Sequence, residues 1–526
     1  MGGTENAENP LSVAAVPPRC AESTVNAKKV MVQGTGSYVG KSVIAAALCA
    51  YFRQRGFRVA PFKAQNMSNN SFVTADGGEI GRAQAFQAQV CGIEPSVEMN
   101  PILLKPAAEK GAQVVVLGKP AGVMAASEYH AFQPRLREII QSSFNTLSSQ
   151  FDLVVIEGAG SPAEINLRPF DIVNMAVAQM TGAPVILVGD INPGGVFAWL
   201  VGTLELLTAE ERSLVKGFLI NKFRGERSLL QGGVDFLEAK TGKKVLGVVP
   251  FAPGLAVPEE DGLHAPKPPE PQTPESHRLN IQVVLPPHIS NSTDFECFET
   301  EPDVSLGYVM RPPESASSVP DLIILPGSKS TMADLQHFRR TGLAKYILDC
   351  HAAGAAVAGI CGGYQMLGQE LRDPAGVESV TPSMPGLGLL HVVTNFESQK
   401  TTAQVQAIHL AFQTPVRAYE IHMGRTVRAD SCAPVFKVVE RRRMAVDEFE
   451  GAASSDDSVW GTYLHGLFDA PVFRRCLLNR LRERRGWEPL NHHGSPPAEE
   501  CLNLLASLIR DHVDLHMLHQ IVDVLG

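Results

Sequence analysis

Short apolar runs separated by helix-length segments dominate this chain from residue 28 onward. The runs at 29–33, 58–62, 153–157, 184–189, 216–221 and 245–250 predict strands. Strands that alternate with helices form βαβ units and a mostly parallel sheet. A second alternating block opens at Asn280-Ile281-Gln282-Val283-Val284-Leu285 and runs to about 485. Between the blocks, Pro253 to His277 holds Pro258, Pro266, Pro268, Pro269, Pro271 and Pro274, which predicts a linker. Beyond 497, Leu502, Leu504, Leu505, Leu508, Ile509 and Val513 recur at helical spacing and predict a packing helix. The expected organisation is an extension over 1–27, a first domain over 28–252, a linker over 253–278, a second domain over 279–490 and a helical tail over 491–526. The expected fold class is α/β, with two doubly wound domains.

Composition narrows the function. The chain has 526 residues and a formal net charge of −9, which argues against non-specific nucleic-acid binding and favours a small-molecule enzyme. Nine cysteines are scattered, with no C-x-x-C pair, which fits a reducing cytoplasm better than a disulfide scaffold or zinc site. No apolar run reaches the ~18 to 20 residues of a membrane span. Residues 1–27 are small, polar and Pro-containing and read as a disordered extension; Glu5, Glu8 and Glu22 count against an organelle address. The expectation is a cytoplasmic enzyme with no membrane or nucleic-acid partner.

The sharpest motif is Gly34-Thr35-Gly36-Ser37-Tyr38-Val39-Gly40-Lys41-Ser42, set between an apolar strand and an Ala-rich helix. Backbone N–H groups of such a loop face an anion, Lys41 adds a point charge, and the Ser42 hydroxyl can reach magnesium. The loop is one residue longer than the strict phosphate-loop spacing, because Thr35 stands where the first glycine is expected. Three strand ends join it. Lys63 follows Phe62 and would point at phosphates in the ligand crevice. Glu157 closes Val154-Val155-Ile156 and is placed to hold magnesium. Asn221-Lys222 resembles the base-reading N-K-x-D element, with Arg224 in place of the acid that reads guanine, which argues for another base. Together these segments resemble the dethiobiotin synthetase-like branch of P-loop enzymes. That resemblance implies ATP-dependent activation of a carboxylate, with Gly34, Thr35, Gly40, Lys41, Ser42, Lys63, Asn221 and Lys222 at the nucleotide and Ser42 and Glu157 at magnesium.

The second block carries Ala358-Gly359-Ile360-Cys361-Gly362-Gly363-Tyr364-Gln365-Met366, a cysteine between a short strand and a helix. Small neighbours permit a nucleophile elbow, and the helix N-terminus favours the thiolate. This segment, Leu325-Pro326-Gly327 and Thr462-Tyr463-Leu464-His465-Gly466 resemble class I glutamine amidotransferases. The resemblance implies a flavodoxin-like glutaminase domain, His465 as proton partner of Cys361, and backbone N–H groups of Gly327 and Gly362 around the oxyanion. The family often places a Glu two residues after the histidine; Leu467 stands there. The site is therefore expected to be a Cys361–His465 dyad or to take its third member from elsewhere. His422 is read as structural or interface-forming.

An ATP-dependent carboxylate activator joined to an ammonia source makes an amide synthetase. Several longer segments resemble the cobyric acid synthase family in particular: 62–67, 98–106, 157–167, 190–198, 221–225 and 289–295. That resemblance implies amidation of adenosylcobyrinic acid a,c-diamide at positions b, d, e and g, using ATP, Mg2+ and glutamine as nitrogen donor, with no tightly bound cofactor. Gln65, Asn66, Glu164, Asp171 and Asp190 become candidates for substrate handling. The family pattern D-I-D-R-G-G-V-F-A reads Asp190-Ile191-Asn192-Pro193-Gly194-Gly195-Val196-Phe197-Ala198 here, so an acid and an arginine are missing. The rivals are cobyrinic acid a,c-diamide synthase, whose strand-end segment resembles F-K-V-G-P-D-Y, a cell-wall amidotransferase, and a switch-type P-loop ATPase acting as a binding module. The oligomeric state stays open, a homodimer included.

Overall fold

The protein is described by a computed structural model over residues 27–106, 111–252, 255, 257, 278–313, 319–491 and 498–524. The extension expected over 1–27 and the Pro-rich linker lie almost wholly outside the described residues.

The first block builds a six-stranded, all-parallel sheet. Its spatial order is Lys244–Pro250, Val215–Phe223, Val185–Asp190, Lys28–Gly34, Leu153–Glu157, Val59–Phe62. These strands are almost wholly buried because helices cover both faces, which is why they read as continuous apolar runs. The helix Lys41–Gln54 covers one face with Ile44, Ala45, Leu48 and Phe52. The C-terminal helices Ala498–Arg510 and Leu515–Val522 return to that same face: Leu505, Ile509 and Leu518 join the core around Val30, Leu48 and Leu246. Asp514 N donates to Leu246 O at 2.7 Å, and Tyr51 OH meets His519 Nε2 at 2.8 Å.

The second block builds a six-stranded sheet ordered Val304–Val309, Leu279–Val284, Leu322–Leu325, Ala356–Ile360, Val459–Thr462, Ala452–Ala453; only the last pairing is antiparallel. A long antiparallel pair, Val392–His409 with Thr414–Arg428, forms the middle of a separate seven-stranded sheet.

Two smaller features join the blocks. A four-stranded sheet of Gln65–Met67, Ile102–Pro106, Ala112–Val116 and Lys119–Met124 grows from the first block. A hairpin, Ser71–Val73 with Glu79–Gly81, reaches the second block. Asn70 Oδ1 accepts from Ser292 N (2.9 Å), Asn291 Oδ1 accepts from Ser71 N (2.9 Å), and Gln404 Nε2 donates to Val73 O (2.8 Å). Phe72 packs on Tyr419 with ring centroids 5.1 Å apart, and the guanidinium of Arg82 lies over both rings. Among the described residues no helix is long and apolar enough to cross a membrane.

Candidate active sites

The phosphate loop sits at the carboxyl ends of the first sheet, where neighbouring strand ends deliver their side chains to one cleft. Lys28–Gly34 and Leu153–Glu157 pair in register with Val32 opposite Glu157, so the loop and the acid emerge side by side. Ser42 Oγ donates to Glu157 Oε1 at 2.8 Å, Lys63 Nζ reaches the same oxygen at 3.2 Å, and Gln87 Nε2 donates to Oε2 at 2.7 Å. Lys41 Nζ donates to the carbonyls of Gly36 (2.8 Å) and Gly160 (3.1 Å), which folds its ammonium back over the loop. The arrangement is a buried carboxylate hydrogen-bonded on both oxygens and paired with the Lys63 ammonium, as a buried acid requires. Gln87 was not legible as a site residue; it lies on a helix with no motif around it.

Asn221 and Lys222 brace the loop. Asn221 Nδ2 donates to Val39 O at 2.9 Å, and Lys222 Nζ bonds the Tyr38 carbonyl and the Asp190 carboxylate, the latter at 3.0 Å. Gly40 adopts φ +94°, and a Cβ there would stand 2.1 Å from Asn221 Nδ2, so this contact requires glycine. Arg224 stacks over the Phe251 ring at 3.9 Å. The cleft has a volume of about 890 Å³. Gln65, Asn66, Glu164 and Asp171 all line it. Gln65 accepts from Tyr129 OH, and Asn66 Nδ2 donates to Gln84 Oε1 at 2.9 Å. Asp171 is engaged by the backbone: its oxygens accept from Val173, Asn174 and Ala176 N–H at 2.8, 2.8 and 2.9 Å. Glu164 is exposed, whereas Asp190 is held by Lys222 and by Asn192 N (2.8 Å). Asn192 and Pro193 are exposed beside Asp190, so their departure from the family pattern leaves the strand end intact.

The residues fit a nucleotide and its metal. Thr35 Oγ1 is buried within the loop without a hydrogen-bond partner, as a group waiting for a phosphate oxygen would be. Ser42 and Glu157 supply two hard oxygens, the number expected of a magnesium site completed by phosphate and water.

The second site is centred on Cys361, which holds φ +53°, ψ −107° between strand Ala356–Ile360 and helix Gly362–Leu367. A non-glycine residue there is strained, and the surrounding close packing maintains it. A Cβ on Gly363 would lie 1.9 Å from Leu325 O, so the helix can begin only where no side chain intervenes. Gly327 faces His465, whose Cε1 would be 3.3 Å from a Cβ there, and Gly362 abuts Ser328 N, 2.7 Å from its own virtual Cβ. The two predicted oxyanion glycines therefore border one spot. Ser328 Oγ donates to Asp334 (2.6 Å) and accepts from Ser330 N (2.9 Å), which fixes the Gly327 turn.

His465 is buried, and Asp294 supplies its partner: Asp294 Oδ2 lies 2.7 Å from His465 Nδ1, and Oδ1 accepts from Gly466 N at 3.1 Å. Burial favours the neutral imidazole, but the Asp294 charge, its hydrogen bond and Cys361 override it and raise His465 to about 10. The constellation is thus Cys361–His465–Asp294, with the acid far upstream rather than two residues after the histidine. Asp294 stood within the Ile289–Phe295 motif, so the sequence marked the segment without giving it a role. Tyr419 stacks on the His465 ring, centroids 5.5 Å apart. His422 instead stacks on Tyr463 at 3.8 Å with Nδ1 on the Gly424 carbonyl (3.0 Å), and burial pushes it down to about 4. It stays neutral and packs.

Residues 30–264 match the CobQ/CobB/MinD/ParA nucleotide binding domain, and residues 280–473 match the CobB/CobQ-like glutamine amidotransferase domain. The chain is 48% identical over 516 residues to cobyric acid synthase of Pelotomaculum thermopropionicum, covering 95% of this chain and 97% of that one. It is 49% identical to cobyric acid synthase of Citrobacter koseri, covering 94% and 98%, and 48% identical to that of Salmonella typhimurium, also covering 94% and 98%. With both domain matches and near end-to-end likeness to these enzymes, the chain belongs to the cobyric acid synthase family.

Proposed function

We propose that this glutamine-dependent amide ligase of cobalamin biosynthesis converts adenosylcobyrinic acid a,c-diamide to adenosylcobyric acid by amidating the b, d, e and g carboxylates. The observation that carries the reading is that one chain presents both halves of the chemistry: a cation-flanked phosphate loop over Glu157, and a Cys361–His465–Asp294 constellation.

A carboxylate is a poor electrophile, so its oxygen first attacks the γ-phosphorus of ATP and displaces ADP. Lys41, Lys63 and the loop amides hold the charge of the moving phosphoryl group, and Thr35 Oγ1 gains its partner. Ser42 and Glu157 would hold magnesium, which would supply further charge neutralisation on the phosphates. Meanwhile the Cys361 thiolate attacks the glutamine amide carbon, and the oxyanion is received by Gly327 and Gly362 N–H groups. His465, held by Asp294, gives its proton to the leaving nitrogen, releasing ammonia and a thioester that water hydrolyses to glutamate. Ammonia then attacks the acyl phosphate, forming the amide and expelling phosphate. The rim of the cleft, with Met67, Leu167 and Phe170 exposed, suits an apolar macrocycle.

Mass spectrometry of the purified protein with ATP, magnesium, glutamine and candidate corrinoids tests this. Four successive acid-to-amide steps on the a,c-diamide are expected. Amidation of cobyrinic acid at a and c instead would overturn the assignment.

A further inference from the structure

The four-stranded sheet that links the blocks is a partition with a different chemistry on each face. Strands Ile102–Pro106 and Ala112–Val116 pair antiparallel with Lys105 opposite Gln113. Side chains alternate across a strand. Leu104, Pro106, Ala112 and Val114 line the nucleotide and substrate cleft. Lys105 and Gln113 therefore point to the other face, and there they meet the glutaminase.

That face is unusually charged for a buried seam. Glu79 forms ion pairs with Lys105 of its own block and with Lys400 of the glutaminase, the latter at 2.6 Å. Lys329 Nζ donates to Gln113 Oε1 at 2.9 Å. Lys329 follows the Gly327-Ser328 turn directly, and Ser328 N abuts Gly362, the residue after Cys361. Glu79 and Lys105 are buried, and Lys329 is half-buried. Three amines thus face one carboxylate. Burial, with neighbouring ammonium groups, pushes Lys105 down to about 8 and Lys329 well below the usual lysine range; burial opposes ionisation of Glu79, but the lysines hold it well below the usual carboxylate range. Of these residues only Lys105, within the 98–106 segment, lies in a stretch the sequence marked; the fold makes them a cluster.

We propose that nitrogen released at Cys361 reaches the cleft across this sheet at the Lys105–Gln113 pair, with the Glu79–Lys105–Lys329–Lys400 cluster admitting neutral ammonia and turning back ammonium. The inference rests on the amidation reading above. Its physical basis is short range and sign. The sheet lines the cleft with one face and meets Lys329, next to the Gly327–Ser328 turn, with the other; the carboxylate of the cluster, Glu79, is already paired with Lys105 and Lys400, so a further cation gains no partner there at low dielectric while a neutral molecule is unaffected. Neutral ammonia is also the species that can attack an acyl phosphate, since ammonium has no free electron pair.

The test uses the full-length protein with ATP, magnesium and the corrinoid acid, supplied with glutamine or with ammonium chloride, in Lys105→Met and Gln113→Leu variants. Glutamate released, amide formed from glutamine and amide formed from ammonium are each measured. The expected result is glutamine hydrolysis and ammonium-dependent amidation near wild type, while amide formed per glutamate released falls by about threefold or more. An unchanged ratio overturns the route. So does a raised KM for glutamine with intact coupling, which would assign the cluster to glutamine's carboxylate. Lys400→Met, on the glutaminase side, carries the same expectation if the sheet variants fail to fold. Failure of wild-type protein to form amide from either source would refute the amidation reading itself, a separate outcome.

Discussion

Asp294 Oδ2 lies 2.7 Å from His465 Nδ1 across 171 residues of chain, and the loop that carries Asp294 is clasped by the first domain. Asn70 receives the Ser292 N–H, and the Ser71 N–H goes to Asn291, only a few residues from the acid. The His465–Asp294 contact is therefore held partly by the first domain's own hairpin.

Asp294→Asn keeps the size of the side chain and removes its charge. Glutamine hydrolysis should fall by on the order of 10²- to 10⁴-fold, as when the acid of a hydrolytic triad is neutralised. Ammonium-dependent amidation should stay near wild type. Parallel assays with the two nitrogen sources read the difference; equal loss in both would show that Asp294 serves the fold instead.

The same pair makes stability depend on pH. His465 is raised from 6.5 to about 10 in the folded protein, so its contribution is fully present below about 6.5 and is lost as pH rises through about 10. Denaturant midpoints measured from neutral pH to above 10 should decline more steeply for the wild type than for Asp294→Asn. Parallel curves would contradict the assignment.

Cys361→Ser should abolish glutamine-dependent amidation and leave ammonium-dependent amidation largely intact, because the sulfur acts only on glutamine. Lys41→Ala should stop amidation from both sources, because activation precedes nitrogen attack. Normal ammonium-dependent turnover in the lysine variant would remove it from the phosphate site.

Gly363→Ala would place a methyl group 1.9 Å from Leu325 O, a backbone atom at the carboxyl end of a central strand. The second domain should lose roughly 1–3 kcal/mol or more, the usual range for overpacking a tight core. Thermal unfolding should show this as a lowered transition, with glutaminase activity falling more than ammonium-dependent synthesis.

Much of the architecture was legible because it is local. The apolar runs at 153–157 and 184–189 are strands at Leu153–Glu157 and Val185–Asp190, since a buried parallel strand needs apolar residues on both faces. The loop at 34–42 and the elbow at 359–366 announced themselves because glycines, a nucleophile and a helix must follow one another in sequence. Asp294, Gln87 and the Glu79–Lys105 pair carried no such signature. Each becomes functional through a partner that the chain reaches only after folding.

The sequence by itself determined the two kinds of chemistry, the nucleotide loop and the cysteine nucleophile, because strand, turn and helix form each from contiguous residues. Tertiary structure alone decided that Asp294 lies against His465, that the tail helices cover the first sheet, and that one sheet separates the cleft from the charged seam beside Cys361. Those relations depend on which faces pack together, and packing pairs residues hundreds of positions apart whose local patterns are independent.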